Sequence, residues 1–158
     1  MAWTSTHFRL AIRRALKKKL QDDATLKTLC GDPVQVSYRP AREVGVFNAT
    51  KKVAITFFDS TNDQDETVPL FDRQVQVDVW STGGLDLAEN VAARIEELLD
   101  PGQTGQQGGL ALAPEPYTEG LVAHFHGGQA HDAYDYEGDM DQVTLLFNML
   151  VYKYPQGA

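Results

Sequence analysis

Arg73-Gln74-Val75-Gln76-Val77-Asp78-Val79-Trp80-Ser81 is the stretch that decides the fold. Val75, Val77 and Val79 alternate with Gln74, Gln76, Asp78 and Trp80, the two-residue period of a strand with one apolar and one polar face. A strand is therefore expected from Phe71 to Trp80. Trp80 closes it on the face opposite the valines, where its own domain covers it only in part. An aromatic there suits a subunit contact, with packing under the following loop as the alternative.

Ser81 to Gly84 turns the chain into a helix. Leu85, Ala88, Val91, Ala92, Ile95, Leu98 and Leu99 form one apolar stripe, and Pro101-Gly102 ends it. Upstream, Phe8, Ala11, Ile12, Ala15, Leu16 and Leu20 recur at three- and four-residue spacing, predicting an amphipathic helix whose other face is basic. A second helical turn is expected from Asp23 to Leu29, capped by Asp23, closed by Gly31 and prevented from continuing by Pro33.

Val34 to Tyr38, Lys52 to Phe58, Val122 to His126 and Val143 to Tyr154 read as further strands from their alternation or their β-branched and aromatic content. Three segments read as mobile loops: the acidic 59–69, the Gly/Gln-rich 101–109 and the acidic 131–141. The order of helix, strands, helix and strands predicts an α+β fold, a mainly antiparallel sheet with an N-terminal amphipathic helix and a second helix packed on it.

At 158 residues the chain fits a single domain over 1–158, large enough to bury a core without metal or disulfide staples. Cys30 is the one cysteine, so no internal disulfide framework exists, and a small packed residue is expected there rather than a nucleophile. Met1 to Leu20 lacks the apolar core and small-residue cleavage site of a secretory signal, which points to the cytoplasm.

The formal charge is −8, yet Arg9, Arg13, Arg14, Lys17, Lys18, Lys19 and Lys27 make up half of the 14 basic residues. An acidic chain with its cations gathered at one end does not read as a duplex binder, which needs a broad basic surface to displace counterions. It reads as a subunit that pairs a basic face with a neighbour's acidic one.

Chemistry-bearing motifs are weak. The glycine-rich 102–109 segment follows a helix and lacks the Gly-Lys-Ser/Thr ending of a phosphate loop. The acids from Asp132 to Asp141 do not have calcium-loop spacing, and no nucleophile elbow, metallohydrolase helix or Cys/His pair is present. The expectation is a non-enzyme with no catalytic residue, cofactor or metal. His124 and His126, alternating on a strand with His131 a loop away, support a metal- or ligand-binding module as the alternative of another class.

The 73–81 string, followed by Leu87-Ala88 and the helix through Ile95 and Leu98-Leu99, resembles the central signature of the tail-completion, or tail-terminator, family of long-tailed bacteriophages. The resemblance extends upstream through Phe8 to Leu20, Leu26 to Leu29 and Val53 to Phe58, and downstream to the apolar strand Val143 to Tyr152. The chain departs from the family pattern in the acidic 59–69 loop and the Gly/Gln insertion after Asp100.

The resemblance implies a structural neck protein of the virion, made in the host cytoplasm. It would form a homo-oligomeric ring, commonly a hexamer, that caps the tail tube and joins it to the head-side connector or stopper. The implied partners are further copies of the chain, the major tail-tube protein, the connector, and DNA passing through the lumen without specific binding. No membrane is involved, and a head-closure or adaptor protein is the alternative within the same class. The residues expected at subunit or ring interfaces are Arg13 and Lys17, then Asp63, Asp65 and Glu66, then Trp80, then Asp135, Glu137 and Asp139.

Overall fold

A computed structural model describes residues 5–38, 46–59, 70–99, 110–112, 119–136 and 139–155, with side chains at 13–38, 46–58, 74–99, 132–134, 136 and 139–148. The elements are α1 (Ser5–Asp22), α2 (Ala24–Cys30), β1 (Gln35–Tyr38), β2 (Val53–Asp59), β3 (Leu70–Ser81), α3 (Leu85–Leu99), β4 (Leu110–Leu112), β5 (Glu119–Asp135) and β6 (Met140–Pro155). The fold is α+β, as the patterning predicts.

The six strands form one sheet in the order β1-β2-β3-β6-β5-β4. All neighbours are antiparallel except β1 and β2, which run parallel with Val36 opposite Ile55. The alternation read in the deciding stretch determines which side is core: Val75, Val77 and Val79 are buried in one cluster with Ile55, Phe57, Val143, Leu145 and Phe147. Leu16 and Leu20 of α1, Leu26 and Cys30 of α2, and Ala88, Val91, Ala92, Ile95 and Leu99 of α3 complete that cluster, so the helices cover this face. Buried aliphatic side chains of this kind each contribute about 2 kcal/mol of transfer free energy. Helix α1 touches both edge strands, β1 and β4, so the sheet curls around it.

Local signals set the helix ends. The Asp23 carboxylate accepts from the Leu26 backbone N–H at 2.9 Å, and the Gly31 N–H returns to the Lys27 carbonyl at 2.9 Å. Gly31 has φ +91°, a conformation that glycine adopts without Cβ strain. In the turn before α3, Gly84 has φ +100° with open space where a Cβ would sit, so backbone conformation rather than packing favours glycine there.

One expectation needs correction, and one strand was not expected. Most of the segment expected as a loop at 131–141 is strand: β5 runs to Asp135 and β6 starts at Met140, pairing Tyr134 with Asp141. Its acids hid the strand, because pairing with β6 holds it and its Asp132, Ala133 and Tyr134 side chains are exposed, so it shows no apolar alternation. The short strand β4 also escaped notice; its three residues are too few to show a period. The other expected loops, 59–69 and 101–109, lie outside the described residues except for Asp59, which ends β2.

Candidate functional site

Three polar regions surround this core. The first lies on the sheet face turned away from the helices. Asp78 is fully buried, and its carboxylate accepts from Thr144 Oγ1 at 2.6 Å, Gln142 Nε2 at 2.9 Å and Gln76 Nε2 at 3.1 Å. Strand register brings these groups together, since Asp78 stands opposite Thr144 and Trp80 opposite Gln142. Beside them the Trp80 indole N–H donates to Thr56 Oγ1 at 2.9 Å. A buried carboxylate surrounded by neutral donors is a fixed structural element, because any donor left unpaired there costs its desolvation.

Trp80 is only 8% exposed. The chain covers it, so the expected partial exposure is not found. Alternation places Trp80 on the polar face correctly, but does not reveal that this face is itself closed over at Thr56, Asp78 and Trp80.

The second region is α1. Arg13 stacks over the Tyr38 ring, 3.5 Å from its centroid, and donates to the Tyr38 hydroxyl. Tyr38 in turn meets Phe57 edge to face at 5.5 Å, so Arg13 is committed to holding α1 against β1. Lys18 pairs with Asp22 at 2.8 Å on the surface, an exposed bridge of small energetic weight. Arg14 and Lys17 are exposed. The Asp23 cap is also gripped by α3, with Arg94 Nη2 at 2.7 Å and Nε at 3.1 Å from its two oxygens. The Arg94 guanidinium and the Leu26 N–H hold the Asp23 carboxyl below the usual carboxylate range.

The third region is the free end of the β5–β6 ribbon. Tyr134 and Tyr136 meet edge to face with ring centroids 4.7 Å apart, at 43% and 87% exposure. The Tyr134 hydroxyl donates to the Asp139 carboxylate, which sits at the turn with φ +50°. Glu89 on α3 lies beside Asp132, with Glu96 and Asp86 nearby, and interaction with Asp132 first, then this crowding of like charges, raises the Glu89 carboxyl above its ordinary range.

Of the residues expected at interfaces, the structure exposes Lys17 and Asp139 and buries Trp80, while Arg13 is half-buried and engaged. Asp135 is the last residue of β5. Asp63, Asp65, Glu66 and Glu137 lie outside the described residues. Lys17 and Asp139 are on separate surfaces, one on α1 and the other at the ribbon turn. Sequence reasoning missed Tyr134 and Tyr136, although two aromatics spaced two apart in an acid-rich segment were a readable signal.

The chemistry-bearing residues are equally plain. Burial pushes the Cys30 thiol up to about 12, so it is a packed residue without thiolate character. Positions 124, 126 and 131 stand opposite Leu150, Asn148 and Thr144, and the register shift between Gly127 and Gln129 keeps all three on one row of the ladder. Among the described residues, no group of three or more His, Cys, Asp or Glu side chains is placed to hold a metal ion.

No family model and no curated protein matches the chain. Among solved structures, it is similar to a chain from the virion of a native gene transfer agent particle. The two share 20% identity at a TM-score of 0.63, covering 91% of this chain and 96% of that one. The likeness is one of whole-domain fold.

Proposed function

We propose that this chain is a structural subunit of a tailed, phage-like virion and acts as a tail terminator, a ring that caps the tail tube and meets the head-side connector. The observation that carries the reading is the end-to-end fold likeness to a chain of a gene transfer agent virion. The 73–81 strand with its following helix adds the tail-completion resemblance.

The mechanism is templated association. A ring of six copies repeats one contact between unlike surfaces, and this chain has such surfaces in the exposed cations of α1 and the acidic, aromatic ribbon tip. The acidic balance of the chain disfavours adhesion to a passing genome. Tube growth stops because the subunit occupies the last tube ring without offering another copy of that ring's surface. The work of the protein is binding energy alone, with no catalytic residue, cofactor or metal in the scheme.

The test is partition between particle halves. Purified protein is incubated with tails lacking heads and with tailless heads, and each fraction is recovered by sedimentation. Retention on tails is the expected result. Retention on heads alone assigns the head-closure or adaptor role instead, and retention on neither contradicts a neck role.

A further inference from the structure

The two tyrosines at the end of the β5–β6 ribbon contribute little to the core, since Tyr136 is 87% and Tyr134 43% exposed. Each is a rigid, amphipathic ring with few rotatable bonds, the type of side chain that anchors protein contacts at low entropic cost. Their edge-to-face packing at 4.7 Å holds the pair together before any partner arrives. Asp132 and Asp139, both exposed, flank the rings. The surface that complements this tip is therefore cationic, with Arg or Lys groups to lie over the rings and pair with the carboxylates.

Such a surface is present on the same chain. Arg14 and Lys17 are exposed on α1, three residues apart and so adjacent on one helix face. The neighbouring Arg13 already makes this kind of contact within the subunit, its guanidinium 3.5 Å from the Tyr38 ring centroid.

Within one chain the two patches belong to different parts of the sheet. Arg13 and Tyr38 mark the β1 edge, while the ribbon tip ends β5, four strands along in the order β1-β2-β3-β6-β5. Helix α3 packs on β3, β6 and β5 and reaches the tip end through Glu89 and Asp132.

We propose that the Tyr134–Tyr136 tip of one copy docks on Arg14 and Lys17 of a second copy. The rings lie against the cations, and Asp132 and Asp139 pair with the charge left over. The two halves of the contact differ and every copy carries both, so the contact is head-to-tail, the kind that builds a ring where the rotation between copies closes. The proposal rests on the ring reading above and names the surfaces that build the ring.

The experiment uses analytical ultracentrifugation of the full chain, the Tyr136→Ala variant, the Arg14→Glu/Lys17→Glu double variant, and an equimolar mixture of the two variants. All substituted side chains are exposed, and unchanged melting temperatures verify the fold. The wild-type protein is expected to form a closed oligomer and each variant to associate at least about tenfold more weakly. The mixture is expected to form one-to-one heterodimers, because each pair then retains one intact tip facing one intact α1. If both variants form the wild-type ring, the contact is overturned and the ring reading stands. The contact is also overturned if both variants fail alone and the mixture stays monomeric. A wild-type chain that remains monomeric up to its solubility limit contradicts both.

Discussion

Asp78 and the ribbon-tip acids are carboxylates of the same mainly antiparallel sheet and its β5–β6 turn, but their surroundings differ in kind. Asp78 is fully buried and accepts from Thr144, Gln142 and Gln76, none of which carries a charge. Asp132 and Asp139 are exposed; one crowds Glu89 and the other accepts from the Tyr134 hydroxyl. A satisfied buried carboxylate organises its own sheet. Exposed acids beside exposed aromatics leave surface and charge for another molecule to complete. Substitutions in the first region should therefore show up in stability, and those in the second in assembly.

The largest effect is expected at Asp78. Asp78→Ala removes the common acceptor of three side chains and should lower unfolding free energy by about 3 kcal/mol, measured by urea denaturation. Asp78→Asn keeps the shape and should cost less. An Asp78→Ala variant as stable as wild type would erase the distinction between the two regions.

Asp23 comes next, as another engaged carboxylate. Asp23→Ala loses the α2 cap and the Arg94 pair, an expected cost of about 2 kcal/mol. The same group sets a pH dependence. Its carboxyl is depressed in the folded chain, so the native state binds fewer protons than the unfolded one. The stabilisation is present in full above the unfolded value of about 3.9 and is lost as pH falls through the lower folded value. Urea midpoints collected down that acid range should fall less steeply in Asp23→Asn than in wild type.

At the tip the expectation reverses. Tyr136→Ala should change unfolding free energy by less than about 0.5 kcal/mol, while weakening self-association. A variant that loses stability and keeps association would place Tyr136 with Asp78 on the structural side of the comparison.

Much of this architecture was readable in advance because its causes are local. The valines at 75, 77 and 79 specify a core-facing strand by alternation alone, and Asp23 and Gly31 delimit α2 through capping chemistry that depends on a few neighbouring residues. The long ribbon was not readable, because His131 to Asp135 is held in strand by pairing with β6 and carries no periodic apolar signal. Trp80 was placed on the correct face with the wrong exposure: covering depends on residues distant in sequence, such as Thr56, which register brings alongside. The same limitation applied to the candidate surface. Charge segregation was visible in composition, whereas the engagement of Arg13 by Tyr38 and the exposure of the two tip tyrosines depend on tertiary contacts.

The central claim, a neck subunit of a phage-like virion, is tested most directly by locating the protein in complete particles. Electron microscopy of particles carrying a gold-labelled copy of this chain should show label at a single point, the junction of head and tail. Label spread over the capsid or along the tail, or absent from purified particles, would contradict the account.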